Sequence, residues 1–397
     1  MNRSSKDRLR LAVVTSIHLD FDARIWKHAR SLADHGCDVH LVCPWAIPHG
    51  EVRQGVTFHT FKRVRPRPLR PFLIPPLLGR RLLPLLREVD IIHFHDIDIL
   101  PWMALLSLFK VVVYDVHENY PDEMLVRDWI PRWLRTPLYH VVGRTEILLA
   151  KIIRNCVLVA PSQNRRFSLT RLRSIHIRNY ATDRLLEDIA LNYQSRDNVV
   201  VFTGAHHDNN GSLLLLEIAS RALQRRLSLK FLVTDRFVSE SFRRRFSDEI
   251  DRRGLTDQVA IHPFVPAHDI MRVLNQATIA ISPNLRVASQ EMGVHTKLYE
   301  YMAAGLPIIA TDLPMQREAI EGACAGILAQ PEEPETFVSA LATLVADRRY
   351  AYELGLNGQQ AFRRQYCWES QVPALIRFYN VLLADPAAAL EPTKDAE

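Results

Sequence analysis

Two successive series of alternating strand and helix patterns predict an α/β chain built of two Rossmann-like halves. Three observations carry this. Short apolar runs fit strands buried on both faces, amphipathic helical patterns separate them, and a polar stretch near 184–198 divides one series from the other. The chain has 397 residues, too many for one ordinary core.

The first series opens with "RLAVVTSI" (10–17), a short apolar run fit for a buried strand. "DARIWKHARSLADHG" follows, with Ile25, Ala29, Leu32 and Ala33 at helical spacing and Gly36 as its stop. "CDVHLVCP" is the next strand, which completes a βαβ unit. Such a unit predicts a parallel sheet with ligands at the C-terminal ends of its strands. "DIIHFHD" (90–96), "ILPWMALLSLF" and "KVVVYDVHE" (110–118) repeat strand, helix and strand, and "CVLVAPS" (156–162) adds a strand. The polar run "RLLEDIALNYQSRDN" reads as the linker.

The second series starts with the strand "VVVFTGA" (199–205) and the helix "SLLLLEIASRALQR". "LKFLVTD", "VAIHPFV" and "TIAISPN" are strands, with "HDIMRVLNQA" a helix between the last two. "HTKLYEYMAAGLPIIATD" (295–312) is a helix feeding a strand, and "CAGILAQ" is a further strand. "SQVPALIRFYNVLLA" reads as an amphipathic terminal helix, and "DPAAALEPTKDAE" as a disordered tail. The expected domains are 1–188, 189–370, a crossover helix at 371–385 and a tail at 386–397.

Composition bounds the chemistry. A formal net charge of +6 favours anionic partners without choosing among them. Five scattered cysteines with no C-x-x-C read as reduced thiols, neither a disulfide framework nor a zinc site. No stretch approaches the ~18 apolar residues of a membrane span, so the expected location is cytoplasmic. The absence of G-x-G-x-x-G after the first strand argues against a dinucleotide dehydrogenase, and the absence of G-x-x-x-x-G-K-[ST] against a P-loop nucleotidase.

One stretch stands apart. "KRVRPRPLRPFLIPPLLGRRLLPLLRE" (62–88) sets basic residues among leucines and prolines. Its prolines are expected to forbid a continuous helix in its first half. It reads either as a connection whose apolar residues tuck under the first domain or as a peripheral contact with an anionic membrane. No aromatic ladder or binding module accompanies the arginines, so nucleic acid is not an expected partner.

The expected cleft between two α/β halves suits a nucleotide. The loop "TSIHLDFD" offers His18, Asp20 and Asp22, with Asp22 equally suited to capping the next helix. His93, His95 and Asp96 cluster at one strand end, and Asp115, His117 and Glu118 at another. Such groups serve sugar hydroxyls or proton transfer. For His93 and Asp96 the plainer reading is hydrogen bonding at the strand end, and for His117 it is function. A D-x-D at Asp96 and Asp98 is weak evidence for a metal. Lys297 in the first turn of a helix could meet a phosphate at the free N–H groups there. Glu300, one turn on, could accept two neighbouring hydroxyls, as on a ribose. The competing reading is a surface Lys297–Glu300 pair.

"KLYEYMAAGLPIIATD" resembles the signature of glycosyltransferase family 4, the retaining GT-B glycosyltransferases, and the likeness extends over "HLDFDARIWKHARSLADHGCDVHLVCP", "VVVYDVHENYP" and "VAIHPFVPAHDIMRVLNQATIAISPN". The resemblance implies a GT-B fold, two Rossmann-like domains facing a central cleft, with the C-terminal helix crossing back to the N-terminal domain. It implies that Glu300 binds ribose, that Lys297 lies near the diphosphate, and that the loop Glu291-Met292-Gly293-Val294 lies against the transferred sugar. His117 would sit beside that sugar, Phe264 and Val265 would flank the base, and residues 18–22 would face the acceptor. Gly204 would open the donor-side loop. The implied reaction is metal-independent retaining transfer from a nucleotide-sugar co-substrate to a glycan or lipid-linked acceptor, with no further cofactor.

Two departures from the family form matter. Glu291 and Glu300 have eight residues between them where the family has seven, and Met292 takes the in-register place. The loop "GAHHDNNG" (204–211) carries His206, His207, Asn209 and Asn210 where the family commonly places Arg and Lys on the diphosphate. A non-catalytic GT-B binding or scaffold protein is therefore the alternative, with a sugar-nucleotide epimerase behind it.

Overall fold

The computed structural model describes residues 8–18, 23–66, 69–116, 119–126, 130–159, 163, 166–167, 172–188, 197–291, 293 and 295–385. The chain divides into two compact units, Met1–Arg178 with Gln371–Glu397, and Asn179–Ser370.

The first unit is built on an eight-stranded sheet. Its strands are β1 (Arg10–Val14), β2 (Asp38–Cys43), β3 (Val52–Arg53), β4 (Val56–Thr60), β5 (Ile91–Phe94), β6 (Val111–Val116), β7 (Asn155–Leu158) and β8 (Arg173–His176). Their order is β3-β4-β2-β1-β5-β6-β7-β8, and every pair is parallel except the short β3–β4 hairpin. The order reverses at β1, which lies between β2 and β5. In an open α/β sheet the crevice beyond the strands' C-terminal ends at such a point is where ligands bind. Thr15–His18 and His95–Asp98 therefore hold the favoured positions in this unit.

Among the described residues the helices of this unit include α1 (Ala23–Asp34), α2 (Arg70–Leu85), α3 (Leu100–Leu106), α4 (Tyr120–Val126) and α5 (Arg132–Ile153). Residues 62–66 carry no regular element and α2 begins only at Arg70, so the first half of 62–88 is not one helix, but from there α2 runs unbroken through Pro75, Pro76 and Pro84. Ile74, Leu78, Leu82 and Leu85 fall on one face and are buried in the sheet's core cluster. Burying such side chains yields roughly 1.5–3 kcal/mol each. Together the four are comparable with the cost of the three interior prolines, ~3 kcal/mol each. Packing overrode propensity: these four residues tuck against the sheet, while Phe72, Leu73 and Leu83 stay exposed.

The second unit holds β9 (Val199–Phe202), β10 (Lys230–Thr234), β11 (Val259–His262), β12 (Ile279–Ser282), β13 (Ile308–Thr311) and β14 (Gly326–Ala329). All are parallel, in the order β11-β10-β9-β12-β13-β14. The order reverses at β9, so its favoured ligand position lies at Thr203–His206 and at Pro283–Asn284.

The unit boundary falls at Arg178–Asn179, just ahead of the polar stretch at 184–198. Tyr180, Ala181 and Leu185 are buried in the second unit's core, so the apolar residues ahead of the polar run decide where that unit begins. The terminal helix, Trp368–Ala384, starts in the second unit and continues in the first, where Phe378, Tyr379 and Leu382 are buried. The tail at 386–397 lies outside the described residues. All five cysteines are free thiols. No helix among the described residues is long and apolar enough to cross a membrane.

Candidate functional site

In the second unit the helix Thr296–Ala303 starts beside the end of β9. Lys297 and Tyr301 are one turn apart and share a face. The Tyr301 hydroxyl accepts from the backbone N–H of Thr203 at 2.9 Å and lies 3.1 Å from its Oγ1. That clamp fixes the helix against the strand end. Lys297 is then carried over the Phe202 ring, with Nζ 4.6 Å from the ring centroid.

Lys297 is 8% exposed, and among the described residues no carboxylate oxygen lies within ion-pair distance of it. Burial pushes its ammonium pKa down to about 7, against a smaller upward pull from Glu300. The surface Lys297–Glu300 pair is thereby excluded. An ammonium held out of water without an anion costs free energy, and a cation–π contact returns only about 0.5–2 kcal/mol. The site is built to receive negative charge.

Gly204 borders the same place. Its φ is +98°, a left-handed conformation that favours glycine, and a Cβ there would meet the Lys297 side chain at 3.7 Å. Gly211 closes the loop at φ +75°, where a Cβ would lie 1.7 Å from the Pro283 carbonyl oxygen. Between them, His206 turns inward. It is fully buried, its Nε2 lies 3.3 Å from Thr234 Oγ1, and its ring packs on Phe202 at 4.8 Å. Burial, then Lys297, pushes its pKa down to about 3. His206 is thus a neutral structural group. His207 stays half-exposed, with its pKa lowered by burial and then by Lys297.

An amide chain that sequence reasoning missed holds this loop to the next. Ser282 Oγ donates to Asn284 Oδ1 at 2.7 Å, and Asn284 Nδ2 donates to Asn210 Oδ1 at 3.2 Å and to Gln290 Oε1 at 2.5 Å. Asn210 Nδ2 in turn donates to the Ala205 carbonyl at 2.6 Å. The available signal was "SPN" at the end of a strand beside the paired asparagines of 209–210.

The remaining donor-side residues scatter in environment. Glu291 ends the short helix Ala288–Glu291, with Arg286 Nε 3.9 Å from its carboxylate. Gly293 is half-buried, as is Glu300, while Val294 lies outside the described residues. Phe264 is exposed, and Val265 packs against the core cluster.

In the first unit, the crevice after β1 is lined with polar bonds. The Asp96 carboxylate accepts from Thr15 Oγ1 at 2.8 Å and the Ser16 N–H at 2.5 Å, and it lies 3.1 Å from His18 Nε2. Ser16 Oγ donates to Asp98 Oδ1 at 2.6 Å. Asp96 thus takes the hydrogen-bonding role. Asp20, Asp22, His117 and Glu118 lie outside the described residues.

Beneath it is a closed ring of polar contacts. Asp115 Oδ2 lies 3.3 Å from His93 Nε2, and His93 Nδ1 lies 2.7 Å from the Tyr379 hydroxyl. That hydroxyl is 3.1 Å from His28 Nε2, His28 Nδ1 is 3.2 Å from His95 Nε2, and His95 Nδ1 returns to Asp115 at 3.2 Å. Arg24 adds a forked contact to both Asp115 oxygens, with its terminal nitrogen at 2.8 and 2.9 Å. Burial alone would raise the Asp115 carboxyl, but Arg24 and the histidines hold it well below the usual carboxylate range. Burial lowers His28 and His93. The ligating atoms of His28, His93, His95 and Asp115 lie within 4.8 Å of one another and could hold a metal ion, yet Arg24 already supplies the cation that Asp115 faces.

Two family models match the chain: Glycosyltransferase Family 4 over residues 23–178, and Glycosyl transferases group 1 over residues 197–347. Sucrose-phosphate synthase from Thermosynechococcus elongatus superposes with a TM-score of 0.71 at 15% identity, covering 95% of this chain and 100% of that one. Anabaena HepE, in complex with UDP and glucose, superposes with a TM-score of 0.67 at 14% identity, covering 93% and 99%. The fold is GT-B, and the chain belongs to the group 1, family 4-type glycosyltransferases.

Among curated proteins, the D-inositol 3-phosphate glycosyltransferase of Thermobifida fusca is 24% identical over 134 residues, 34% of this chain and 30% of that protein. The amylovoran biosynthesis glycosyltransferase AmsK of Erwinia amylovora is 36% identical over 92 residues, 23% of this chain and 22% of that protein. The matched stretches therefore span less than a third of either relative's own length.

Proposed function

We propose that the chain is a retaining glycosyltransferase that moves a sugar from a nucleotide-sugar to a glycan or lipid-linked acceptor in cell-surface polysaccharide or glycoconjugate synthesis. The observation that carries this is Lys297: a buried ammonium with no carboxylate partner among the described residues, at the first turn of a helix and beside a glycine-opened loop. A diphosphate is the anion that this arrangement suits, because the helix's free N–H groups and the Lys297 charge converge on one place. The UDP and glucose held by HepE support a nucleotide-sugar donor, and the amylovoran enzyme supports a polysaccharide pathway.

In this reading Lys297 neutralises the charge that develops on the departing diphosphate, and Glu300 accepts from the ribose hydroxyls. The loop at Glu291 and Gly293 lies along the sugar, His117 stands beside it, and Phe264 and Val265 flank the base. The leaving phosphate assists removal of the acceptor's proton on the same face of the sugar, and no metal is required. His18, with Asp20 and Asp22, faces the acceptor. The protein works at the cytoplasmic side of a membrane, touching it through the basic, apolar 62–88 segment.

Replacing Glu300 with Ala should raise the nucleotide's dissociation constant about tenfold or more, the cost of one lost charged hydrogen bond. Unchanged affinity with an intact fold would remove Glu300 from the site.

One observation favours a second reading, a non-catalytic binding protein. Residues 204–211 contain no Lys or Arg, and His206 faces the core. Fixed cations of this kind are often worth several kcal/mol to a transition state. Incubation with the nucleotide-sugar that binds best separates the two: turnover, with or without acceptor, belongs to the enzyme, and binding without turnover to the scaffold.

A further inference from the structure

The first unit contains a cavity of about 410 Å³, among helices α2, α3, α4 and α5 and next to the ends of β1 and β5. That volume falls within the ~300–1,000 Å³ of small-ligand sites. Its wall is mostly apolar, with Leu100, Met124, Val142 and Leu149 among its side chains. Of the three charged side chains that line it, Glu146 on α5 is already paired with Arg166 at 2.6 Å; the other two are Arg70 at the start of α2 and Asp98 after β5.

Both have bonding capacity to spare. Arg70 donates from Nε to the Val64 carbonyl at 3.2 Å, an anchor that leaves its terminal nitrogens available to a ligand. Asp98 accepts from Ser16 through Oδ1, while its Oδ2 is buried and has no hydrogen-bond partner among the described residues. Burial, then the charge of Asp96, pushes the Asp98 carboxyl up to about 6. A buried acceptor without a donor is costly, and an incoming hydroxyl relieves it.

The helices that wall this cavity also carry large exposed apolar side chains: Phe72 and Leu73 on α2, Trp102 and Leu105 on α3, Val141 and Leu148 on α5. Arg80 on α2 and Arg132, Arg135 and Arg144 on α5 lie on the same elements. Apolar side chains among arginines suit the surface of an anionic lipid layer.

We propose that this cavity is the seat of an acceptor's lipid: an aliphatic chain lies along the apolar wall, its phosphate meets Arg70, and a hydroxyl of its head group meets Asp98. The proposal rests on the glycosyltransferase reading only for calling that lipid an acceptor. The cavity's preference for a phosphorylated chain stands or falls by itself.

The test is titration of the full chain with dodecyl phosphate below its micelle concentration, with butyl phosphate alongside. Dodecyl phosphate should bind at least tenfold more tightly. Val142→Trp, which fills the cavity, should weaken dodecyl phosphate about tenfold or more. Arg70→Gln should weaken it severalfold while leaving dodecanol unchanged, so the proposal stays testable if Val142→Trp does not fold. Phe109→Ser, on an exposed apolar residue outside the cavity, should leave the dissociation constant unchanged. Equal affinity for the two phosphates, undiminished binding in folded Val142→Trp, unaltered dodecyl phosphate binding in Arg70→Gln, or a loss in Phe109→Ser matching a cavity variant's would overturn the cavity. Nucleotide binding is measured on the same samples. Lipid binding without nucleotide binding would sink the transferase reading and keep the cavity; the reverse would do the opposite.

Discussion

Each unit buries a charge at the C-terminal end of its sheet, and the two are treated oppositely. In the first, Asp115 meets Arg24 through a fork and lies in a ring with His93, Tyr379, His28 and His95. In the second, Lys297 has the face of Phe202 and no carboxylate partner among the described residues. A satisfied buried charge is part of the scaffold, whereas a buried charge left unsatisfied identifies a place where a ligand supplies the counter-charge.

The largest effect should come from breaking the paired side. Asp115→Asn leaves Arg24 buried without its anion, and uncompensated charges of that kind cost about 3–5 kcal/mol. Its melting temperature should fall steeply in thermal denaturation; an unchanged value would mean that the ring is not structural. Tyr379→Phe removes one hydroxyl that bridges His93 and His28, for a loss of about 1–3 kcal/mol, read in the same way.

Lys297→Met sharpens the contrast, because it removes a charge that folding must desolvate. The ligand-free variant should be as stable as the parent or more so, and its nucleotide affinity should drop about tenfold or more, ~1.4 kcal/mol. A melting temperature that falls as far as that of Asp115→Asn would erase the distinction.

The smallest effects follow pH. With its pKa near 7, Lys297 loses its proton as pH rises, and an arriving diphosphate restores it. Nucleotide affinity should therefore fall between pH 7 and 9, by at most about tenfold per unit, and the slope should flatten in Lys297→Met. Over the same range the unfolded chain holds more protons at this lysine, so its contribution to ligand-free stability rises with pH. The histidines behave alike at lower pH. His206 near 3 and His295 near 4 stay neutral when folded but charge when unfolded, so stability should decline as pH falls below about 6.5.

Much of this was legible locally. The strands are short apolar runs, and Lys297 and Tyr301 fall on one helix face by their spacing. Helix α2 was not, because its prolines argue against it and only the burial of Ile74, Leu78, Leu82 and Leu85 argues for it. The ring around Asp115 was half legible. His93, His95 and Asp115 stand at strand ends, but His28 comes from α1 and Tyr379 from 351 residues further along the chain. No local pattern links residues that only the sheet and the returning helix bring together. The Lys297 charge was visible while its isolation was not, since a surface pair with Glu300 satisfies the same spacing.

The most direct test is a thermal-shift comparison of the parent and Lys297→Met against UDP, GDP, ADP and their sugar conjugates at millimolar concentration. A ligand that binds only the folded chain raises its melting temperature. One nucleotide family should stabilise the parent, and the stabilisation should be largely lost in Lys297→Met. No shift with any nucleotide, or an equal shift in both proteins, would contradict the claim that Lys297 awaits a diphosphate.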